Sequence, residues 1–301
     1  MSPARTNLLF TLLLCLPVLI ATACNRPGGG ETIGPVEHHR RALRMEAIGS
    51  TNVMASMAEI QRRVVMAGST AIPIQIYTPR SEGPCPTVLL LPSIDFVAGD
   101  TVTHDRIARS IAAETPALVV LPEPGSLPES DWPTVLHQLE SVLDWLPDHV
   151  DRWNGRSDCI VLVGEGAAGA QAAALSTRRA GNITLTILVL PILDLRREAW
   201  VDRPWFAEAM GGTDRTAEQV SPLALDIVES SPTYVLTGAE DPAHDQGVEW
   251  TDRLLELQVP AKHRVLAGQG PMGMEWATVS PSVLQVVFDI AREIRERCPG
   301  E

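Results

Sequence analysis

Acyl-transfer chemistry asks for a nucleophile on a sharp turn, an imidazole to take its proton, a carboxylate to hold the imidazole, and amides to meet the developing negative charge. The sequence has one turn shaped for such a nucleophile. Gly164-Glu165-Gly166-Ala167-Ala168-Gly169 follows an apolar run at 159–163 and opens an alanine-rich stretch. It holds no serine, threonine or cysteine, and Gly166 at its centre has no hydroxyl to offer. Histidines are few. His38-His39, before Arg40-Arg41, reads as part of a solvated helix, and His244 and His263 belong to surface-facing patterns. No His, Cys, Asp or Glu group has zinc spacing, so neither a metal nor a cofactor is expected.

The turn must be held by a sheet, and the hydropathy pattern supplies one. Runs at 59–66 and 71–77, separated by Gly68-Ser69, read as a starting hairpin. Runs at 87–91, 117–121, 159–163, 184–190, 233–237 and 261–266 are short and mostly apolar, and suit parallel strands buried on both faces. Helical periodicity occupies 103–114, 132–147, 167–179, 244–258 and 281–297, each where a crossover is needed. The expected fold is α/β, with about eight mostly parallel strands and helices on both faces. Segments 37–55 and 194–229 fall outside the alternation and are read as a cap over the C-terminal edge of the sheet; the second carries Trp200, Trp205 and Phe206.

At 301 residues and 45% hydrophobic content, the chain can bury one large core. A net charge of -13 argues against nucleic-acid binding, because little positive charge is available to displace counterions. Arg5, the apolar run 8–20 and Ala21-Thr22-Ala23-Cys24 have the parts of an export signal, and a small residue before Cys24 resembles a bacterial lipoprotein signal. The expected organisation is a signal peptide at 1–23, a lipidated tether at 24–35 and one domain at 36–298, anchored to a membrane in the cell envelope.

Several segments together carry a family resemblance: Ile76-Tyr77-Thr78-Pro79, Val97-Ala98-Gly99-Asp100, Thr103-His104-Asp105, Leu127-Pro128-Glu129, Ser221-Pro222-Leu223, Glu240-Asp241-Pro242 and Asp245-Gln246-Gly247. In order and spacing the chain resembles the hormone-sensitive-lipase-like carboxylesterase branch of the α/β-hydrolase superfamily. That resemblance places a nucleophilic serine at Gly166 and the acid of the triad at Asp241. The histidine falls at Pro271 or Met272, neither of which accepts a proton. The glycine-rich oxyanion loop falls at Pro92-Ser93-Ile94-Asp95, before Phe96. Branched Ile94 should resist unusual backbone angles there, and Asp95 should repel an oxyanion. Of the donors, the Ala167 amide remains. The resemblance also implies that His104 and Asp105 cap a helix, and that the strands bearing Cys85 and Cys159 are neighbours. A Cys85–Cys159 disulfide is thus admitted, with Cys298 left as a free thiol.

The expectation from these residues is a non-catalytic, lipid-anchored protein. Its cleft of Ser93, Asp95, Phe96, Glu165 and Ala167 would bind a small apolar ligand or an envelope protein. Asp95, Glu165 and Asp241 would make that cleft acidic. Two alternatives stand beside it: a carboxylic-ester hydrolase with a non-standard nucleophile such as Ser93, the one hydroxyl near the cleft, and a structural envelope component whose cleft is closed by Phe96, Met272 and Met274.

Overall fold

A computed structural model describes residues 33–50, 54–196, 206–209, 218–267 and 281–300. Eight strands form one sheet in the order β1-β2-β4-β3-β5-β6-β7-β8. They are β1 (Glu59–Ala67), β2 (Thr70–Thr78), β3 (Cys85–Leu91), β4 (Leu118–Pro122), β5 (Gly155–Glu165), β6 (Leu185–Val189), β7 (Thr233–Gly238) and β8 (Ala261–Leu266). β1 pairs antiparallel with β2, and β2 with β4. All further pairings are parallel. The hairpin and the six parallel runs therefore sit where the alternation puts them. β8 departs in burial: as an edge strand it is mostly half-exposed, and only Leu266 is buried.

Strand periodicity divides the core in two. Leu89, Leu91, Ile160 and Leu162 face one layer, packed by α3 (Trp132–Trp145), α4 (Ala167–Arg178) and α5 (His244–Glu256). Val88, Leu90, Val161 and Val163 face the other, covered by α2 (Thr101–Glu114) and α6 (Pro281–Arg297). Each fully buried aliphatic side chain of this kind contributes about 1.5–3 kcal/mol. Strand and loop lead to α2 after β3 and to α4 after β5, on opposite faces, so a crevice opens between their carboxyl ends.

The two faces also settle the cysteines. Cys159 and Cys298 form the disulfide, with Cα atoms 6.0 Å apart, and Cys85 is the free, buried thiol. The expected Cys85–Cys159 bridge fails although β3 and β5 are neighbours. Cys85 pairs with Gly155, and a register shift separates it from the Thr87–Ile160 pairing. Its side chain joins one core layer and Cys159 the other, where the end of α6 brings Cys298.

The first cap segment contains α1 (Pro35–Gly49), buried through Val36, Leu43 and Ala47. Glu208, in a single helical turn at Phe206–Ala209, accepts from the Val36 amide at 3.0 Å, an acid meeting the positive end of a helix. Trp200, Trp205 and the stretch holding Pro271, Met272 and Met274 lie outside the described residues.

Candidate active site

The turn after β5 keeps the conformation of a nucleophile elbow. Gly166 has φ 55 and ψ -116, in the region that side-chain-bearing residues enter only under strain. Its amide donates to Val189 O at 3.0 Å, and its carbonyl accepts from the Ile192 amide at 2.9 Å. The flanking small residues are packing requirements. A Cβ on Gly164 would stand 2.2 Å from Ala168 O, and one on Gly169 2.7 Å from Pro191 Cβ. A Cβ on Gly166 would meet nothing within 4 Å, so the place of the nucleophile is open.

The loop after β3 lies against this elbow, with the Ala168 amide donating to Ser93 O at 3.2 Å. Ser93 is 5% exposed. Ile94 and Ala98 exchange backbone hydrogen bonds at 2.7 and 3.0 Å, closing the loop on itself. The unusual backbone angles fall at Asp95 (φ 52) and Phe96 (φ 63), so Ile94 is spared the strain expected of it. Phe96 is buried against Trp132, with ring centroids 5.8 Å apart.

Asp95 is engaged. His39 Nε2 lies 3.0 Å from Asp95 Oδ2, a contact that α1 makes across the loop. Arg40 beside it donates to Leu127 O and Ser126 Oγ at 2.9 and 3.1 Å and pairs with Glu129. The reading of His39 as a solvated surface residue is thus corrected. Its signal was available in the sequence: Val36, Arg40, Leu43 and Ala47 follow i, i+4, i+7, i+11, and that spacing turns His39 and Arg40 toward the body.

Glu165, the last residue of β5, is 3% exposed. Burial, then Asp95, then Asp241 hold its carboxyl well above the usual carboxylate range. Among the described residues, its carboxyl has no hydrogen-bond partner. Glu165 therefore feels both of the other acids. Asp241 is also raised by burial, although the Ala243 amide donates to its Oδ1 at 2.6 Å and opposes the shift. A buried acid that keeps its proton in the folded chain makes stability fall as pH rises from the carboxylate range toward its folded pKa. Glu165→Gln should accordingly raise the thermal midpoint more at pH 8 than at pH 4.5; an increment equal at both pH values would contradict this.

The other histidines lie elsewhere. His104 is buried, shares a 2.9 Å contact with Thr103 Oγ1, and burial lowers its pKa to about 4. Asp100, not the His104-Asp105 pair, caps α2, accepting from the Val102 and Thr103 amides at 2.8 and 2.9 Å. Asp105 instead accepts from Tyr77 and Arg109. His244 and His263 are half-buried on the flank of β7 and β8, their ring centroids 5.9 Å apart. His263 Nε2 lies 2.7 Å from Thr237 Oγ1. A cavity of about 380 Å³ lies under α1, lined by Arg40, Arg44, Gly99, Asp100, Glu123 and Ser126 among others. Asp95, Glu165 and Asp241 are not among the residues lining it.

The family described as alpha/beta hydrolase fold matches residues 95–270. Esterase LipI of Mycobacterium tuberculosis is 24% identical over 213 residues, covering 62% of this chain and 66% of its own, just under two thirds of its length. Carboxylesterase NlhH of the same organism is 24% identical over 218 residues, covering 64% of this chain and 68% of its own. The crystal structure of a thermostable esterase from Pseudomonas putida ECU1011 superposes with a TM-score of 0.79 at 20% identity, over 91% of this chain and 94% of that one. These esterase relatives overturn the expectation of a non-catalytic binding module, and they favour the hydrolase alternative instead.

Proposed function

This chain belongs to the α/β-hydrolase fold family, and from that membership we propose that it is a carboxylic-ester hydrolase whose nucleophile is Ser93 instead of a residue at position 166. The observation that carries the assignment is the His39–Asp95 contact at 3.0 Å, which brings an imidazole from α1 against a carboxylate of the loop that holds Ser93. The family's motif positions read as degenerate here. Gly166 lacks a hydroxyl, Pro271 and Met272 lack a base, Asp241 is left as a turn residue, and Ser93-Ile94-Asp95 has no glycine.

In the proposed reaction, His39 takes the Ser93 Oγ proton as Oγ attacks the ester carbon. Asp95 stabilises the imidazolium that forms, so its charge is directed to His39 and not against the substrate. The Ala167 amide at the start of α4 meets the oxyanion, aided by the positive end of that helix. The alcohol leaves with the proton from His39. Water then attacks acyl-Ser93, giving its proton to His39, which passes it to Ser93 Oγ as the acid is released. Labelling with a fluorophosphonate tests the assignment. An adduct on the tryptic peptide containing Ser93 is expected, and an unlabelled chain that still hydrolyses aryl esters would reject Ser93 as nucleophile.

The location of the activity is part of the same proposal: export, cleavage before Cys24, lipidation there, and a tether at 24–35 leading to the hydrolase domain at 36–298. Support comes from the Cys159–Cys298 disulfide, since such bonds persist in oxidising compartments.

A further inference from the structure

The outer face of α1 has a composition that the esterase reading does not use. Met45 is 67% exposed and Ile48 65%, and Met54 just beyond the helix is 46% exposed. Ala42, Met45 and Ile48 recur at i, i+3 and i+6, which sets them along one exposed stripe. Arg41 and Arg44 border the stripe, with side chains 61% and 59% exposed while paired to Glu37 and Asp100. An exposed apolar row edged by guanidinium groups is the pattern of a helix that lies in a lipid interface. None of the described helices is long and apolar enough to cross a membrane, so the contact would be with the surface.

The sequence before the helix says what covers this face. Cys24 and Pro35 are 11 residues apart, with Gly28, Gly29 and Gly30 between them. A stretch of that length reaches at most about 40 Å. We propose that the Met45–Ile48 face of α1 docks on an anionic lipid membrane, held near it by the chain's own tether. The proposal uses the reading of Cys24 as lipidated but is separable from it. The chain's net charge of -13 disfavours general adsorption, so the attraction requires Arg41 and Arg44 to exchange Glu37 and Asp100 for lipid phosphates. A second copy of the chain is the rival occupant. Docking would also place the site near lipid, because the opposite side of this helix, about 10 Å away, holds Asp95 through His39.

The test uses the full lipidated chain in vesicles of phosphatidylethanolamine and phosphatidylglycerol. An environment-sensitive dye on Met45→Cys should shift to the blue and be quenched by a lipid-borne quencher. The same dye on Val64→Cys, on the exposed side of β1, should do neither. Identical behaviour at the two positions would overturn the proposal. In the unlipidated Cys24→Ser chain, adding Met45→Gln and Ile48→Gln should lower vesicle partitioning about tenfold. If those substitutions change the oligomeric state and leave partitioning unaltered, the face belongs to a second copy and the proposal fails. Equal partitioning of the lipidated and Cys24→Ser chains would reject lipidation alone.

Discussion

Ser93→Ala is expected to lower kcat/KM for short-chain aryl esters by about 10³-fold, with the thermal midpoint nearly unchanged. The side chain is small and lies in a loop whose shape is set by backbone bonds between Ile94 and Ala98, so removing one hydroxyl leaves the scaffold alone. His39→Ala should reproduce the loss, because without an imidazole the hydroxyl keeps its proton at neutral pH. Asp95→Asn is the sharper variant. Asparagine tolerates the left-handed backbone at φ 52, so the loop should keep its conformation while the imidazolium loses its carboxylate. A loss of about 10²-fold in kcat is expected there, with KM little altered. Full activity in Ser93→Ala would eliminate Ser93 as nucleophile, and full activity in His39→Ala would eliminate the proposed base.

The second large effect concerns stability at the elbow, where two glycines two residues apart should respond differently to the same substitution. Gly164→Ala puts a Cβ 2.2 Å from Ala168 O, 2.5 Å from Ala168 C and 2.9 Å from Gly169 N, all of them backbone atoms that cannot rotate aside. Relief requires α4 to move away from β5, opening a close-packed interface, and a cost of about 3–5 kcal/mol follows. Gly166→Ala meets no atom within 4 Å and incurs only the penalty of a positive φ, about 1–2 kcal/mol. Urea unfolding of both variants measures the difference. Equal losses would mean that the turn is not held by the packing described for it. The same contrast separates two kinds of constraint at this turn: Gly164 and Gly169 are constrained by neighbours, whereas position 166 is constrained only by its backbone angles.

Much of the frame was legible because its signals are local. A six-residue apolar run is a strand whatever surrounds it, and helical periodicity between two such runs has little option but to form a crossover. β8 is the instructive exception: its run has the right length, but its burial depends on lying at an edge, a property of strand order. The cysteines were misread for a related reason. Neighbouring strands were inferred correctly, yet the register shift between Pro86 and Thr87 and the reach of α6 decide which thiol faces which. In the candidate site, Glu165 and Gly166 are placed by the turn itself, whereas the effect of Asp95 and Asp241 on Glu165 joins segments far apart in the chain.

The reading of His39 failed where sequence is weakest. A histidine followed by two arginines has the composition of a solvated helix, and only its position on the buried stripe of α1 argued otherwise. Composition outweighed phase, and the residue that supplies the proposed base was set aside.

By itself, the sequence determined that a mostly parallel sheet carries a sharp turn without a hydroxyl, because strand periodicity and the Gly-Glu-Gly turn are properties of contiguous residues. Only the tertiary structure decided what stands beside that elbow. His39 and Asp95 are 56 residues apart, on a cap helix and on the loop after β3, and no local rule brings them to 3.0 Å. That approach is set by Val36, Leu43 and Ala47 burying against the body and by Arg40 bonding to the backbone at Leu127, contacts that exist only once the sheet has formed.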